Sequence, residues 1–177
     1  MKIGIFADLH GNIDAWHTIM DGVFKDADQV LCAGDTFGAG LANPFSSSYH
    51  PQKLKEVIAH PPKPIVIVRG NCDAKGIYPD SASGTLGNKK YYLCHGQHCP
   101  SDEEKLKLAH QYHADFFIYG HTHLWRLEKT GDVVIINPGS PTTPQKKPKH
   151  DTVAVMTDHT IEIIDIHSRD VLATLAL

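Results

Sequence analysis

Five short polar clusters punctuate this 177-residue chain, each following an apolar run and each marked by glycine. They are Asp8-Leu9-His10-Gly11, Gly34-Asp35, Gly70-Asn71-Cys72-Asp73, His95-Gly96 and Gly120-His121-Thr122-His123. Carboxylate, imidazole and amide oxygen suit Mn²⁺, Fe or Zn²⁺, and the set is too rich in nitrogen for Ca²⁺. In an extended segment, residues i and i+2 point to the same side. Asp8 with His10, and His121 with His123, would then each present two ligands together. Asp8, His10, Asp35, Asn71, His95, His121 and His123 exceed what one ion with open positions takes. With Asp35 as a bridge they would serve two divalent ions about 3.5–4 Å apart.

A single Asp-x-His or Gly-Asp usually means a turn or a helix cap. The weight lies in the ordered set, with every member at the end of an apolar run. The composition agrees: there are 13 histidines, scattered from His10 to His167 rather than contiguous like a tag, and imidazole is the commonest protein metal ligand. Four of them fall in the clusters; His17, His50, His98, His113 and the rest have no role assigned, and His98 lies nearest the His95 turn.

Strands and helices must hold these clusters. Ile3 to Ala7, Gln29 to Ala33, Ile65 to Val68, Lys90 to Cys94 and Phe116 to Tyr119 read as short buried strands. Asn12 caps a helix in which Trp16, Ile19, Met20, Val23 and Phe24 recur at helical spacing. Pro51 opens a second helix carrying Leu54, Val57 and Ile58. Ser101 with Glu104 forms a capping box for a third, running to about His113. Strands alternating with helices imply an α/β sheet, whose strand carboxyl ends face a ligand crevice where the clusters would converge. The tail reads as antiparallel: Trp125 to Lys129, Val133 to Ile136, Val153 to Met156 and Ile161 to Ile166. No repeat or linker divides the chain, so one domain over 1–177 is expected.

With a net charge of −3, 41% hydrophobic and 21% charged residues, the chain is an ordinary globular one. It carries no basic stripe for nucleic acid and no apolar run of the ~20 residues a membrane span needs. Asp8 comes too early for a signal peptide, so a cytoplasmic location is expected, with Cys32, Cys72, Cys94 and Cys99 reduced. No Cys-x-x-Cys pair suggests a zinc ribbon, and Cys94 reads as a buried strand residue.

In this order, from Ile3 to Ser140, the clusters resemble those of the calcineurin-like metallophosphoesterases. Asn137-Pro138-Gly139-Ser140 is also typical of their small single-domain members. Within the family the chain is most similar to the bacterial YfcE-type phosphodiesterases, on Gly70-Asn71-Cys72-Asp73 and on size. The resemblance implies an α/β fold: a four-layer α/β/β/α sandwich of two mixed β-sheets flanked by helices, with a dinuclear site at one edge. It implies that Asp8, His10 and His123 hold one ion, that Asn71, His95 and His121 hold the other, and that Asp35 bridges. Asp35, Asn71 and His95 are the catalytic candidates. Mn²⁺ is the expected metal, with Fe, Zn²⁺ or Ni²⁺ as other occupants. The implied activity is hydrolysis of a small phosphodiester by a hydroxide bridging two cations.

One position departs from the pattern. Many relatives carry His after the motif Asn, placed to protonate the leaving oxygen; here it is Cys72, a poor proton relay. That favours activated diesters, with Asp73 either substituting as acid or capping its turn. Arg69 and Arg126 flank motif turns, as phosphate contacts or structural ties. Lys146, Lys147 and Lys149 form a basic run in the 137–151 loop, read as a solvated face with a substrate lid as the sharper alternative. Trp125 reads as core. Two competing functions remain: a phosphomonoesterase or nucleotidase of the same fold, or a non-catalytic assembly scaffold like the retromer subunit that shares it. The antiparallel tail offers edges for a homo-oligomer.

Overall fold

The computed structural model describes residues 1–143 and 149–177. Eleven strands form two mixed sheets among them. The first sheet has the order β11-β10-β9-β1-β2-β3, with β1 Lys2–Phe6, β2 Gln29–Cys32, β3 Ile65–Ile67, β9 Thr152–Thr157, β10 Thr160–Asp165 and β11 Val171–Ala176. β1, β2 and β3 run parallel, while β9 to β11 return antiparallel. The second sheet has the order β4-β5-β6-β8-β7, with β4 Ser81–Leu86, β5 Lys89–Cys94, β6 Phe116–Ile118, β7 Arg126–Thr130 and β8 Val133–Asn137. Its centre, β5-β6-β8, is parallel and its two edge strands are antiparallel.

Strand alternation sorts the apolar residues into three layers. Ile3, Ile5 and Ala7 of β1 and the segment after it face Leu93, Ile118 and Ile136, so the two sheets share one core. Phe6 turns the other way, toward Trp16, Phe24 and Leu54 of the helical layer. On the far side, Tyr92, Phe117 and Ile135 pack under the helix that carries Ala109. Three apolar layers separate four structural ones, the α/β/β/α arrangement implied by the resemblance. No helix of the described residues is long and apolar enough to cross a membrane.

The helices are α1 Ile13–Thr18, α2 Pro51–Ala59 and α3 Asp102–Gln111. Asn12 caps α1 through Ala15 N–H, and Ser101 with Glu104 makes the expected capping box on α3. The first helix differs from expectation. Beyond Thr18 it widens into a π-helical segment, Ile19–Val23, with Phe24 N–H donating to the Ile19 carbonyl. The wider turn keeps Ile19, Met20, Val23 and Phe24 on the buried face, which a 3.6-residue periodicity registers as plain α-helix.

β4 and β11 have no counterpart among the expected strands. Ser81-Ala82-Ser83-Gly84 is too small and polar to show apolar alternation, and β11 is an exposed edge. Both exist because a neighbouring strand supplies the ladder. Trp125 packs against the inter-sheet core, as expected. Lys146 and Lys147 lie outside the described residues.

Candidate metal centre

The parallel strands β1, β2, β3, β5 and β6 all end at one edge of the sandwich, and the five polar clusters follow them there. The backbone ties them together: Asp8 N–H donates to the Gly34 carbonyl, His10 N–H to Asp35, and Gly120 N–H to His95. All seven sequence candidates meet at this edge.

The local geometry corrects one expectation. Asp8, His10, Asp35, His121 and His123 have φ of 56°, 48°, 52°, 70° and 55°, so they are left-handed and not extended. The paired presentation of Asp8 with His10, and of His121 with His123, comes from these turns rather than from strand alternation. For non-glycine residues this conformation costs about 1–3 kcal/mol each and persists where surrounding structure imposes it. Glycine serves close approach instead. A Cβ on Gly70 would run into the Asp35 carboxylate, whose Oδ1 also accepts Cys72 N–H at 2.8 Å.

Three imidazoles are held alike. His10 Nδ1–H donates to the Gly38 carbonyl at 2.7 Å, His95 Nδ1–H to Ala33 at 2.7 Å, and His123 Nδ1–H to Thr143 at 2.8 Å. A carbonyl on Nδ1 fixes the tautomer and turns Nε2 inward as a lone pair, the arrangement found around metal-ligating histidines. The Nε2 atoms of His123, His10 and His95 lie 3.5, 3.9 and 4.0 Å from Asp8 Oδ1. His10 Nε2 and His123 Nε2 face each other at 3.2 Å.

Asp8 is fully buried, and its Oδ1 has no hydrogen-bond partner among the described residues. Its Oδ2 accepts His121 N–H at 3.0 Å. A buried carboxylate oxygen facing three imidazole lone pairs is an acceptor cluster without a donor, which a cation completes. Asp8, His10 and His123 form one group able to hold an ion. Asn71 Oδ1 lies 3.1 Å from His95 Nε2 and 2.9 Å from His121 Nδ1, a second group beside it. Asp35 Oδ2 sits between the groups, 3.3 Å from His95 Nε2 and 4.0 Å from His10 Nε2. The donor set therefore fits a pair of divalent cations.

The electrostatics carry the same strain. Burial pushes the Asp8 carboxyl up to about 8, with the nearby His95 pulling down and Asp35 pushing up. Burial also acts on Asp35, but in the metal-free site His95, once protonated at Nε2 as well, and the Cys72 N–H hold it at about 2. His95 is pulled down by burial yet ends above its usual value because Asp35 and Asp8 flank it. Burial lowers His121 and His123, aided by the neighbouring His95. Asn71 and His121 are the exposed members, so the centre opens on their side.

Several residues around the centre carried no assigned role in the sequence. Asn137 donates through Nδ2 to the Gly120 carbonyl at 2.9 Å, fixing the turn that bears His121. Ser140 and Thr142 hydroxyls donate to the Asp8 carbonyl at 2.9 and 3.1 Å. Asn137-Pro138-Gly139-Ser140 stood out as a motif; the carbonyls of Ala33, Gly38 and Thr143 left no side-chain signal. Asp73 caps a turn: its carboxylate accepts N–H groups of Thr36, Phe37 and Gly70 at 3.2, 2.9 and 3.0 Å. Arg69 pairs with Asp80, and Arg126 with Asp102 and Glu128, so both act as structural ties. Cys94 is buried with its sulfur 3.8 Å from that of Cys99. His17, His110, His150 and His167 pair instead with Asp21, Asp132, Asp165 and Asp151.

Residues 1–160 match the family model described as the calcineurin-like phosphoesterase superfamily domain. The chain belongs to that superfamily. It is 26% identical to phosphodiesterase YfcE of Escherichia coli K12 over 186 aligned positions, covering 100% of this chain and 98% of that one. The solved structure of YfcE, described as a phosphoesterase from E. coli, superposes with a TM-score of 0.82 at 24% identity, covering 99% of each chain. Vps29 of Entamoeba histolytica, solved with Zn²⁺, shares the fold at a TM-score of 0.73 and 19% identity, over 100% of this chain and 98% of that one.

Proposed function

We propose that the chain is one metallophosphoesterase domain over 1–177 that hydrolyses a small phosphodiester in the cytoplasm, using two divalent cations, with Mn²⁺ the preferred metal. In this reading Asp8, His10 and His123 would hold one cation, Asn71, His95 and His121 would hold the other, and Asp35 would serve both. Asp35, Asn71 and His95 border the reacting phosphate. The observation that carries it is the buried, partnerless Asp8 Oδ1 facing three inward Nε2 atoms. Bound there, two cations would supply Lewis acidity, activating water for attack at neutral pH and offsetting charge on the phosphoryl oxygens.

The chain's own part is positioning. Carbonyls of Ala33, Gly38 and Thr143 hold three imidazoles to one tautomer and direction. Cys72 N–H and the bare Gly70 backbone fix the Asp35 carboxylate. Asn71 Nδ2–H donates to Cys72 Sγ at 3.2 Å, leaving its Oδ1 toward His95 and His121.

Two features favour a diester over a monoester. A monoester dianion asks for more positive charge than a diester monoanion, and Arg69 and Arg126 are already committed to carboxylates. The usual imidazole proton donor is a thiol here. Burial, and then the Asp35 carboxylate, push Cys72 up to about 12, so the leaving oxygen gets little help and a good leaving group is preferred.

The test pairs bis(p-nitrophenyl) phosphate with p-nitrophenyl phosphate, on chelated protein and on protein reloaded with Mn²⁺, Zn²⁺ or Ni²⁺. Metal-dependent hydrolysis favouring the diester is expected, with loss in Asp35→Asn. Preference for the monoester would replace this reading with a phosphomonoesterase. Metal uptake with neither ester cleaved would favour the scaffold.

A further inference from the structure

Beside the His10 ring lies a second feature, a cavity of about 190 Å³. Asn12, Asn43, Ser46, Tyr49 and Thr142 wall it together with His10, so it adjoins the metal centre through that ring. The wall is built into the fold. Ile13 N–H donates to the Ser48 carbonyl and His50 N–H to Gly11, and Asn12 bridges Tyr49. The Tyr49 ring lies so close over Gly11 that a Cβ there would come within 2.5 Å of it, and Gly11 has a φ of 73°.

Its chemistry is uniform. Among the described residues no Lys, Arg, Asp or Glu lines it. Asn12 Oδ1 is used on Ala15 N–H, and Asn43 Oδ1 on Phe45 N–H, which leaves each amide NH₂. Ser46 Oγ accepts Ser48 N–H, leaving its own hydrogen. Together with the Tyr49 hydroxyl, these are neutral donors that take no partner among the described residues. They suit hydroxyl oxygens, while a second phosphate or a carboxylate would meet no Lys or Arg among the described residues of the wall. The volume is below the roughly 300 Å³ at which drug-sized ligand pockets begin. A triol or pentose matches it in size.

We propose that this cavity seats one ester arm of the diester, and that the arm is a small neutral polyol of glycerol or pentose size. The proposal rests on the diesterase reading and names its substrate class. Phosphate at the centre would pass this arm along the His10 ring, with the Asn12, Asn43, Ser46 and Tyr49 donors reading its hydroxyls.

The experiment compares two diesters sharing a p-nitrophenolate leaving group, one with a methyl arm and one with a 2,3-dihydroxypropyl arm, on the Mn²⁺-loaded protein. The dihydroxypropyl-to-methyl ratio of kcat/KM is expected to be about tenfold, carried mostly by KM, as two or three neutral hydrogen bonds would give. Asn43→Ala and Tyr49→Phe should each pull that ratio down by about three- to tenfold. Asn43 is on an exposed loop, and Tyr49→Phe keeps the ring over Gly11, so neither change threatens the fold. A wild-type ratio near one, or variants that leave it unmoved, would overturn the subsite alone. Hydrolysis of neither ester would overturn the diesterase reading and the subsite with it.

Discussion

Asp8 is where function works against stability, and Asp8→Asn measures by how much. In the metal-free protein burial holds this carboxyl at about 8, against 3.8 when exposed. A carboxyl raised in this way binds its proton more tightly folded than unfolded. Its contribution is therefore full below about pH 4 and drains away as pH climbs toward 8. At 1.36 kcal/mol per unit, the stretch from pH 5 to pH 8 removes about 4 kcal/mol. His95, also raised, loses stability in the same direction; Asp35, held at about 2, contributes evenly above pH 4. Asparagine keeps the acceptor for His121 N–H, places an NH₂ opposite the His123 Nε2 lone pair, and carries no charge at any pH. Thermal melts of chelated protein should therefore nearly coincide for wild type and Asp8→Asn at pH 4. At pH 8 the variant should lie about 10 °C higher, taking about 2–4 °C per kcal/mol for a chain of this size. Saturating Mn²⁺ should reverse the order, since only the wild type gains binding energy. A variant that melts below the wild type at pH 8 without metal would refute the claim that Asp8 Oδ1 is a destabilising orphan.

Other residues make separable predictions. Asp73→Ala strips the acceptor from three buried backbone N–H groups and should cost about 3 kcal/mol or more in denaturant unfolding. Its dependence on leaving-group pKa should stay as in wild type, because Asp73 caps a turn and donates no proton. Gly70→Ala sets a methyl group against the Asp35 carboxylate; titration calorimetry should show Mn²⁺ affinity falling about 10- to 100-fold. Cys72→His should raise the rate on alkyl diesters relative to nitrophenyl diesters, and an unchanged ratio would remove Cys72 from the account of leaving-group preference.

Much of the centre could be read from the chain because its residue types are scarce and their positions regular. Asp, His and Asn at the ends of five parallel strands form an ordered pattern that turns and caps do not produce by accident. The strands that hold them were equally plain, since buried parallel strands are nearly unbroken apolar runs. β4 was hidden because Ser81-Ala82-Ser83-Gly84 draws its structure from pairing with β5, not from its own side chains. The π-helical turn at Ile19–Val23 was hidden because a one-residue change of pitch preserves the buried face.

The order and chemistry of the ligand candidates therefore belong to the sequence, and so does the grouping of strands that carries them to one edge. Their aim belongs to tertiary structure. Three imidazoles point inward because carbonyls of Ala33, Gly38 and Thr143, from separate segments, take their Nδ1 protons. Five candidate residues sit in left-handed turns, which Asp and His enter more readily than most residues but which the surrounding structure must hold. Asp73 and Arg126, both open to a catalytic reading from the chain alone, are settled as a turn cap and an ion pair by what folds against them. A side chain's chemistry is local, whereas its direction, its partners and its access to water depend on residues far away in the chain.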